Sequence, residues 1–251
     1  MTAFLFVTDL DNTLIGDEKS LKILNQQLSQ HRENYGTKIV YATGRSLFLY
    51  RQLTTQQSLL PPDALITSVG TEIYLNPDND IFNSEWAEII TPGWNRHQVI
   101  ATAANFSELL HQPTSEQGLF KVSYYLTEPR AEGVLHQLKL VLHERGLDVK
   151  LIYSGGKDLD IIPQKADKGL AVQFLQQKWG FDGTNTVVCG DSGNDISLFS
   201  VGESRGIIVG NARPELRKWH ELNPNNYRYL AKGKYASGII EGLDRFGLII
   251  C

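Results

Sequence analysis

At 251 residues the chain is long enough to bury one large core or two modest ones. Its 24 basic and 28 acidic residues leave a formal charge of −4, which offers no basic face to nucleic acid or to a membrane surface. No apolar run is long enough to span a bilayer, and two cysteines, Cys189 and Cys251, cannot staple a fold, so a reducing, cytoplasmic setting is expected.

Residues 4–8 read as a fully buried parallel strand that runs into Asp9-Leu10-Asp11-Asn12-Thr13. The two aspartates arrive too early for a secretory leader. Side chains at i and i+2 of a strand share a face, so Asp9 and Asp11 are expected to start on one side. Two carboxylates ~4 Å apart repel by roughly 4 kcal/mol in a protein-like dielectric. A divalent cation with oxygen ligands relieves that repulsion. An Asx-turn or a helix cap accounts for the same residues without any chemistry.

Leu21, Leu24 and Leu28 predict an amphipathic helix. Residues 38–42 form the next strand, and Ser46 is the expected N-cap of a helix from Leu47 to about Gln56. Between them, the Thr43 hydroxyl, the Gly44 amide and Arg45 can hold a phosphate oxygen; an ordinary strand-turn-helix connection also explains them. Residues 64–70 supply a third strand, extended by Glu72 to Leu75 as an outlying hairpin. Around residues 76–80 the β-α alternation gives way to a long helical segment with Val99, Ala103, Phe106 and Leu110 at helical spacing. Phe120, Val122, Tyr124 and Leu126 alternate as a strand buried on one face. A helix with Leu135, Leu138 and Leu142 on its stripe and Gly146 at its end follows. Residues 149–153 and 158–162 then read as a hairpin around Ser154-Gly155-Gly156-Lys157.

The alternation resumes at Asp167-Lys168-Gly169-Leu170, where a helix begins with Ala171, Phe174 and Leu175 inward and Gly180 past its end. Residues 187–189 are an apolar strand ending in Gly190-Asp191-Ser192-Gly193-Asn194-Asp195. With the first strand end, that makes four carboxylates. A short helix through Ile196, Leu198 and Phe199, a strand at residues 205–212, a helix opened by Pro214, and a last helix with Ile239, Ile240, Leu243 and Phe246 complete the chain. The expected fold class is α/β: a doubly wound, Rossmann-like parallel sheet built from residues 1–80 and 161–251, interrupted by an α+β cap at residues 81–160.

Four elements stand in chain order: Asp9-x-Asp11-x-Thr13, Thr43-Gly44, Lys168-Gly169 and Gly190-Asp191-x-x-x-Asp195. In that order, on this alternation, the sequence resembles the haloacid dehalogenase superfamily of phosphohydrolases, with the insertion resembling its larger cap class. Asp9-Leu10-Asp11-Asn12-Thr13, Tyr41-Ala42-Thr43-Gly44-Arg45, the stretch from Ser154 to Asp160 and the stretch from Cys189 to Asp195 are similar to the sucrose-phosphate phosphatase family within it. Asn12 departs from the superfamily pattern, where glycine is commoner; asparagine tolerates the same backbone angles.

The resemblance implies Asp9 as a nucleophile that forms an aspartyl-phosphate, and Asp11 as general acid and then base. It implies Mg2+ held by Asp9, Asp191 and the backbone carbonyl of Asp11, with Asp195 orienting that shell. Thr43, Gly44 and Lys168 would hold phosphate oxygens. Lys165 competes with Lys168, and the adjoining Gly169 favours Lys168 because glycine permits close approach of a phosphate. Arg45, Glu72, Lys121, Lys157, Asp160 and Asn194 are substrate-binding candidates by analogy, and singly each also reads as a surface group. The implied activity is hydrolysis of the small-molecule sugar phosphate sucrose 6-phosphate by a monomer; association with sucrose-phosphate synthase is a further expectation. The rivals are another sugar or polyol phosphatase of the same cap type, such as mannosyl-3-phosphoglycerate phosphatase, and a non-catalytic phosphosugar-binding domain. The latter is expected to have lost the nucleophile or a metal carboxylate, and none is missing.

Overall fold

The apolar run at the start of the chain becomes β1 (Leu5–Thr8), buried along its whole length at the middle of a seven-stranded sheet. The structure is a computed structural model and describes residues 2–249; Cys251 lies outside them. The other strands, in chain order, are β2 (Lys38–Ala42), β3 (Ala64–Thr67), β4 (Glu72–Tyr74), β5 (Leu110–His111), β6 (Val122–Tyr125), β7 (Val149–Ser154), β8 (Asp158–Pro163), β9 (Thr186–Gly190), β10 (Arg205–Ile208) and β11 (Arg228–Leu230). The main sheet runs β11-β10-β9-β1-β2-β3-β4, parallel except for β4, which returns antiparallel along β3.

Successive β1 side chains feed opposite layers, as a strand period of two requires. Phe4 and Phe6 pack with Leu21, Leu24 and Leu28 of the helix Glu18–Tyr35 and with Ile239 and Leu243 of the helix Tyr235–Arg245. Leu5 and Val7 pack with Ala171 and Leu175 of the helix Lys168–Trp179 and with Leu198 of the helix Ile196–Ser200. Thr8 lies opposite Tyr41 on one side and Cys189 on the other. The carboxyl ends of β1, β2 and β9 are therefore level, and the loops that follow them open into one crevice, where open α/β sheets carry their ligands.

A second, antiparallel sheet has the order β5-β6-β8-β7 and its own core, with Val122, Leu138, Leu142, Leu159 and Ile161 at its centre. One expectation is corrected in this region. The helix Arg96–Ala103 stops well short of Leu110, because the Asn105 amide donates to the carbonyls of Ala101 and Thr102 and closes the helix end. Leu110 then pairs with Tyr125 in β5 and is exposed. The helix Ser84–Ile90, inside the 81–160 segment, buries Trp86 and Ile90 against the main sheet rather than the second one. The strand β11 carries no apolar run and has no counterpart in the sequence reading. No helix among the described residues is long and apolar enough to cross a membrane.

Trp86 is 2 % exposed, and its indole N–H donates to the Gly70 carbonyl at 3.1 Å. Trp86→Ala is expected to destabilise the protein by about 3–5 kcal/mol, read as a lower urea midpoint at unchanged slope.

Candidate active site

β1 ends at Thr8, so Asp9 is held by the sheet while Asp11 stands beyond it. Asn12 takes a left-handed φ of 60° and turns the chain sharply. Both aspartates line one cleft. Asp9 also meets Asp191 and Asp195: one carboxylate oxygen from each lies within 4.8 Å of the others. Among them stands Lys168, the first residue of its helix, fully buried. Its ammonium donates to Asp9 Oδ1 at 2.6 Å, Asp195 Oδ1 at 2.7 Å and Asn194 Oδ1 at 3.2 Å. Lys165 is exposed and takes no part. Gly169 adjoins Lys168 for a reason other than phosphate access: a Cβ there would lie 2.1 Å from the Ser197 carbonyl oxygen, so glycine lets the two helices touch.

The oxygens can be accounted for one by one. Asp195 Oδ2 accepts the backbone N–H groups of Asp191 and Ser192 at 3.0 and 3.1 Å. Asp191 Oδ1 accepts the Thr13 hydroxyl at 3.1 Å. Asp9 Oδ2 and Asp191 Oδ2 are left without a protein donor among the described residues. Burial pushes the Asp9 carboxyl well above its ordinary range; Lys168 pulls it back, and Asp195 and Asp191 add to the rise. Burial, with Asp195 beside it, pushes Asp191 up to about 7. Lys168 is held protonated: burial opposes its charge, but Asp195 and Asp9 outweigh burial. Three buried carboxylates facing one ammonium are short of positive charge. Free, hard oxygen atoms in such a cluster are the kind of donor a divalent cation takes.

The loop after β2 forms the next wall. Ser46 caps the helix Leu47–Thr54, as expected. Thr43 is fully buried, and its hydroxyl accepts the Arg45 N–H at 3.1 Å. Arg45 grips the Asp11 carboxylate with two bonds, at 2.7 and 2.8 Å. Beneath this loop, Ser68, Val69 and Gly70 take left-handed φ values of 52°, 61° and 97° in succession. For a β-branched residue such as Val69 that is a strained conformation, costing on the order of 1–3 kcal/mol.

A cleft of about 440 Å³ lies over these groups, with Asp9, Asp11, Gly44, Arg45, Asp191 and Asn194 on the main-sheet side and Lys121, Lys157 and Asp160 on the other. Lys121 is 2 % exposed; it donates to the Gly44 carbonyl at 3.2 Å and lies 3.5 Å from Asp160. Glu72 does not reach the cleft. One of its carboxylate oxygens, Oε2, accepts the Thr67 and Tyr74 hydroxyls at 2.9 and 3.0 Å. Gln112, Glu116, Tyr125 and Arg213 line the cleft without having been singled out in the sequence, and Ser154 and Asp158 line it without having been named as site residues. Asp158 had a legible signal: it shares a strand face with Asp160, opposite the buried Leu159 and Ile161. Gln112 and Glu116 had none, because they follow the misread helix end. Burial raises the carboxyls of Glu116 and Asp158, with Lys121 and Lys157 respectively pulling them back.

The parallel sheet with an acidic crevice at its carboxyl edge defines a haloacid dehalogenase-type α/β protein. The structure of a haloacid dehalogenase-like hydrolase from Bacillus subtilis superposes with a TM-score of 0.68 at 19% identity, over 98% of this chain and 93% of that one. The chain belongs to the sucrose-6F-phosphate phosphohydrolase family, whose model matches residues 2–247. It is similar to the sucrose-phosphatase of Synechocystis, solved in complex with sucrose and phosphate, with a TM-score of 0.92 and 39% identity over 100% of both chains. It is 41% identical to probable sucrose-phosphatase 2 of Arabidopsis thaliana over 97% of this chain, and spans 60% of that relative's length. It is also 30% identical to the mannosylfructose-phosphate phosphatase of Agrobacterium fabrum over 97% of each chain.

Because Asp191 sits at about 7, a proton competes with a cation for its free oxygen below that pH. Divalent-cation affinity is expected to weaken as pH falls, by about tenfold between pH 8 and pH 6 for this one proton. Isothermal titration at the two pH values measures it.

Proposed function

We propose that the chain is a magnesium-dependent phosphatase that hydrolyses sucrose 6-phosphate to sucrose and phosphate. The observation that carries the reading is the buried Asp9 carboxylate, tethered to Lys168 on one oxygen and open on the other, at the floor of a cleft walled by charged and hydroxyl-seeking side chains. Asp9 would hold Mg2+ together with Asp191 and the Asp11 carbonyl. The bound ion would keep Asp9 ionised and offset the charge on the phosphoryl group.

The chain's own groups then divide the work. Asp9 attacks phosphorus, forming an Asp9 O–P bond as the sugar O–P bond breaks. Asp11 gives its proton to the departing sugar oxygen, then takes one from the water that cleaves the acyl phosphate. Between those tasks Arg45, whose two N–H groups favour the carboxylate, would hold Asp11 in place. Lys168, on releasing its 3.2 Å bond to Asn194, would hold the non-bridging phosphate oxygens with Thr43 and the Gly44 amide, where charge accumulates in the transition state. Asp195, with both oxygens occupied by the protein, keeps Lys168 and the Asp191 loop in place rather than meeting the phosphate.

The sugar would lie toward the second sheet, residues 1–80 and 161–251 acting as core and the inserted segment as cap. Glu116, Asp158 and Asp160 accept hydrogen bonds from hydroxyls, and Lys121 and Lys157 donate to them. Family membership and the likeness to a protein solved with sucrose and phosphate favour sucrose as the product. The full-length match to a mannosylfructose-phosphate phosphatase favours a second disaccharide ester as the rival.

A panel of phosphorylated sugars separates the two: sucrose 6-phosphate is expected to be hydrolysed with the highest kcat/KM, and a clear preference for mannosylfructose phosphate would overturn the assignment. Asp9→Asn is expected to lower turnover by a factor on the order of 10⁴ while leaving the circular dichroism spectrum unchanged. EDTA is expected to stop turnover and Mg2+ to restore it, whereas Ca2+ inhibits because its larger, looser shell disturbs in-line attack.

A further inference from the structure

The strained turn Ser68–Gly70 is used by none of these roles. We propose that it is the device that fixes the spacing between the phosphate-binding loop at Gly44 and the ammonium of Lys168, with Val69 as the positioning residue; this rests on the phosphatase reading above. The turn touches both elements. On one side the Ser68 N–H donates to the Arg45 carbonyl at 2.8 Å and the Val69 N–H to the Thr43 carbonyl at 3.1 Å. A trans peptide points its N–H opposite to its C=O. Anchoring the Thr43 carbonyl on the turn therefore aims the Gly44 N–H away from it, and Gly44 lines the cleft. The Val69 side chain backs the same loop, its Cγ2 lying 3.8 Å from where a Gly44 Cβ would stand.

On the other side Gly70 abuts the start of the Lys168 helix. A Cβ on Gly70 would lie 2.1 Å from the Asp167 carbonyl carbon and 2.4 Å from the Lys168 amide nitrogen. The Trp86 indole holds the Gly70 carbonyl from behind at 3.1 Å. A right-handed Val69 would redirect the chain between its two anchors and move Gly70 off Lys168. The left-handed backbone is thus what lets one short turn touch the phosphate loop and the lysine together. All three residues are buried, so no contact with solvent or substrate accounts for the conformation.

The test compares Gly70→Ala, which pushes a methyl group against Lys168, and Val69→Gly, which frees the backbone, with Gly36→Ala. Gly36 is also left-handed, at φ 80°, but ends the helix Glu18–Tyr35 with open space around it. The readouts are thermal midpoint, kcat and KM on the best ester of the panel, and inhibition by inorganic phosphate. Gly70→Ala is expected to lower kcat by about a hundredfold and Val69→Gly by about tenfold, with kcat falling more than KM rises and phosphate inhibition weakened in both. Gly36→Ala is expected to lower only the midpoint. A folded Val69→Gly that keeps kcat and phosphate inhibition within about twofold overturns the proposal, as does an equal kcat loss in Gly36→Ala. If Gly70→Ala does not fold, Val69→Gly decides alone. A parent protein that binds phosphate, followed by calorimetry, yet cleaves no ester overturns the phosphatase reading only, and the turn is then judged on phosphate affinity. A parent that binds no phosphate overturns both.

Discussion

The site depends on one buried ion-pair cluster, the Lys168 ammonium lodged between Asp9 and Asp195. Each of these charges loses several kcal/mol of hydration on burial, and only close pairing with full hydrogen bonding returns it. Asp195 meets that condition completely, since Lys168 and two backbone N–H groups saturate its oxygens. Asp9 meets it by half. The cluster therefore ties together three elements remote in sequence: the end of β1, the loop after β9 and the first turn of the Lys168 helix. It also leaves one oxygen of the nucleophile candidate open toward the cleft.

The two sheets divide the chemistry. Apart from Lys168, which opens a helix, the groups that would meet the phosphate come from loops at the end of the parallel sheet, where strand register fixes their position. The groups suited to hydroxyls come from β8, from the turn after β7 and from the segment after β5. Lys121 joins the two, since the side chain beside Asp160 also grips the carbonyl of Gly44. Its buried charge couples the far wall of the cleft to the phosphate loop without a covalent connection.

The sequence was most legible where a local rule had no competitor. Alternation and apolar runs located the parallel strands other than β11, Ser46 and Asp167 the helix starts, and Gly180 a helix end. The acidic pair Asp191 and Asp195 was legible because a strand followed by a glycine-rich acidic loop has few other uses. Nothing in a sequence tells that two hydroxyls, Thr67 and Tyr74, wait for the same oxygen of Glu72. Gln112 and Glu116 stayed hidden because the helical spacing through Leu110 was a coincidence, broken by Asn105.

Backbone strain draws the same boundary around the site from another direction. Four non-glycine residues among those described have a positive φ: Asn12, Ser68, Val69 and Tyr235. Asn12 directly follows Asp11 and lies three residues after Asp9. Ser68 and Val69 clamp the loop at Gly44. Tyr235 is remote in sequence, yet its N–H donates to Asn211 Oδ1 at 2.9 Å, and the Asn211 amide donates to the Asn12 carbonyl at 2.6 Å. Each of these residues gives up local stability, and all four brace loops at one edge of one sheet. Strain persists only where surrounding contacts over-determine it, and chains tolerate it mainly where geometry matters more than local preference. A fold that needed only to be stable would have glycine at these positions, and a crevice that had to keep loop, lysine and carboxylate in fixed register has reason not to.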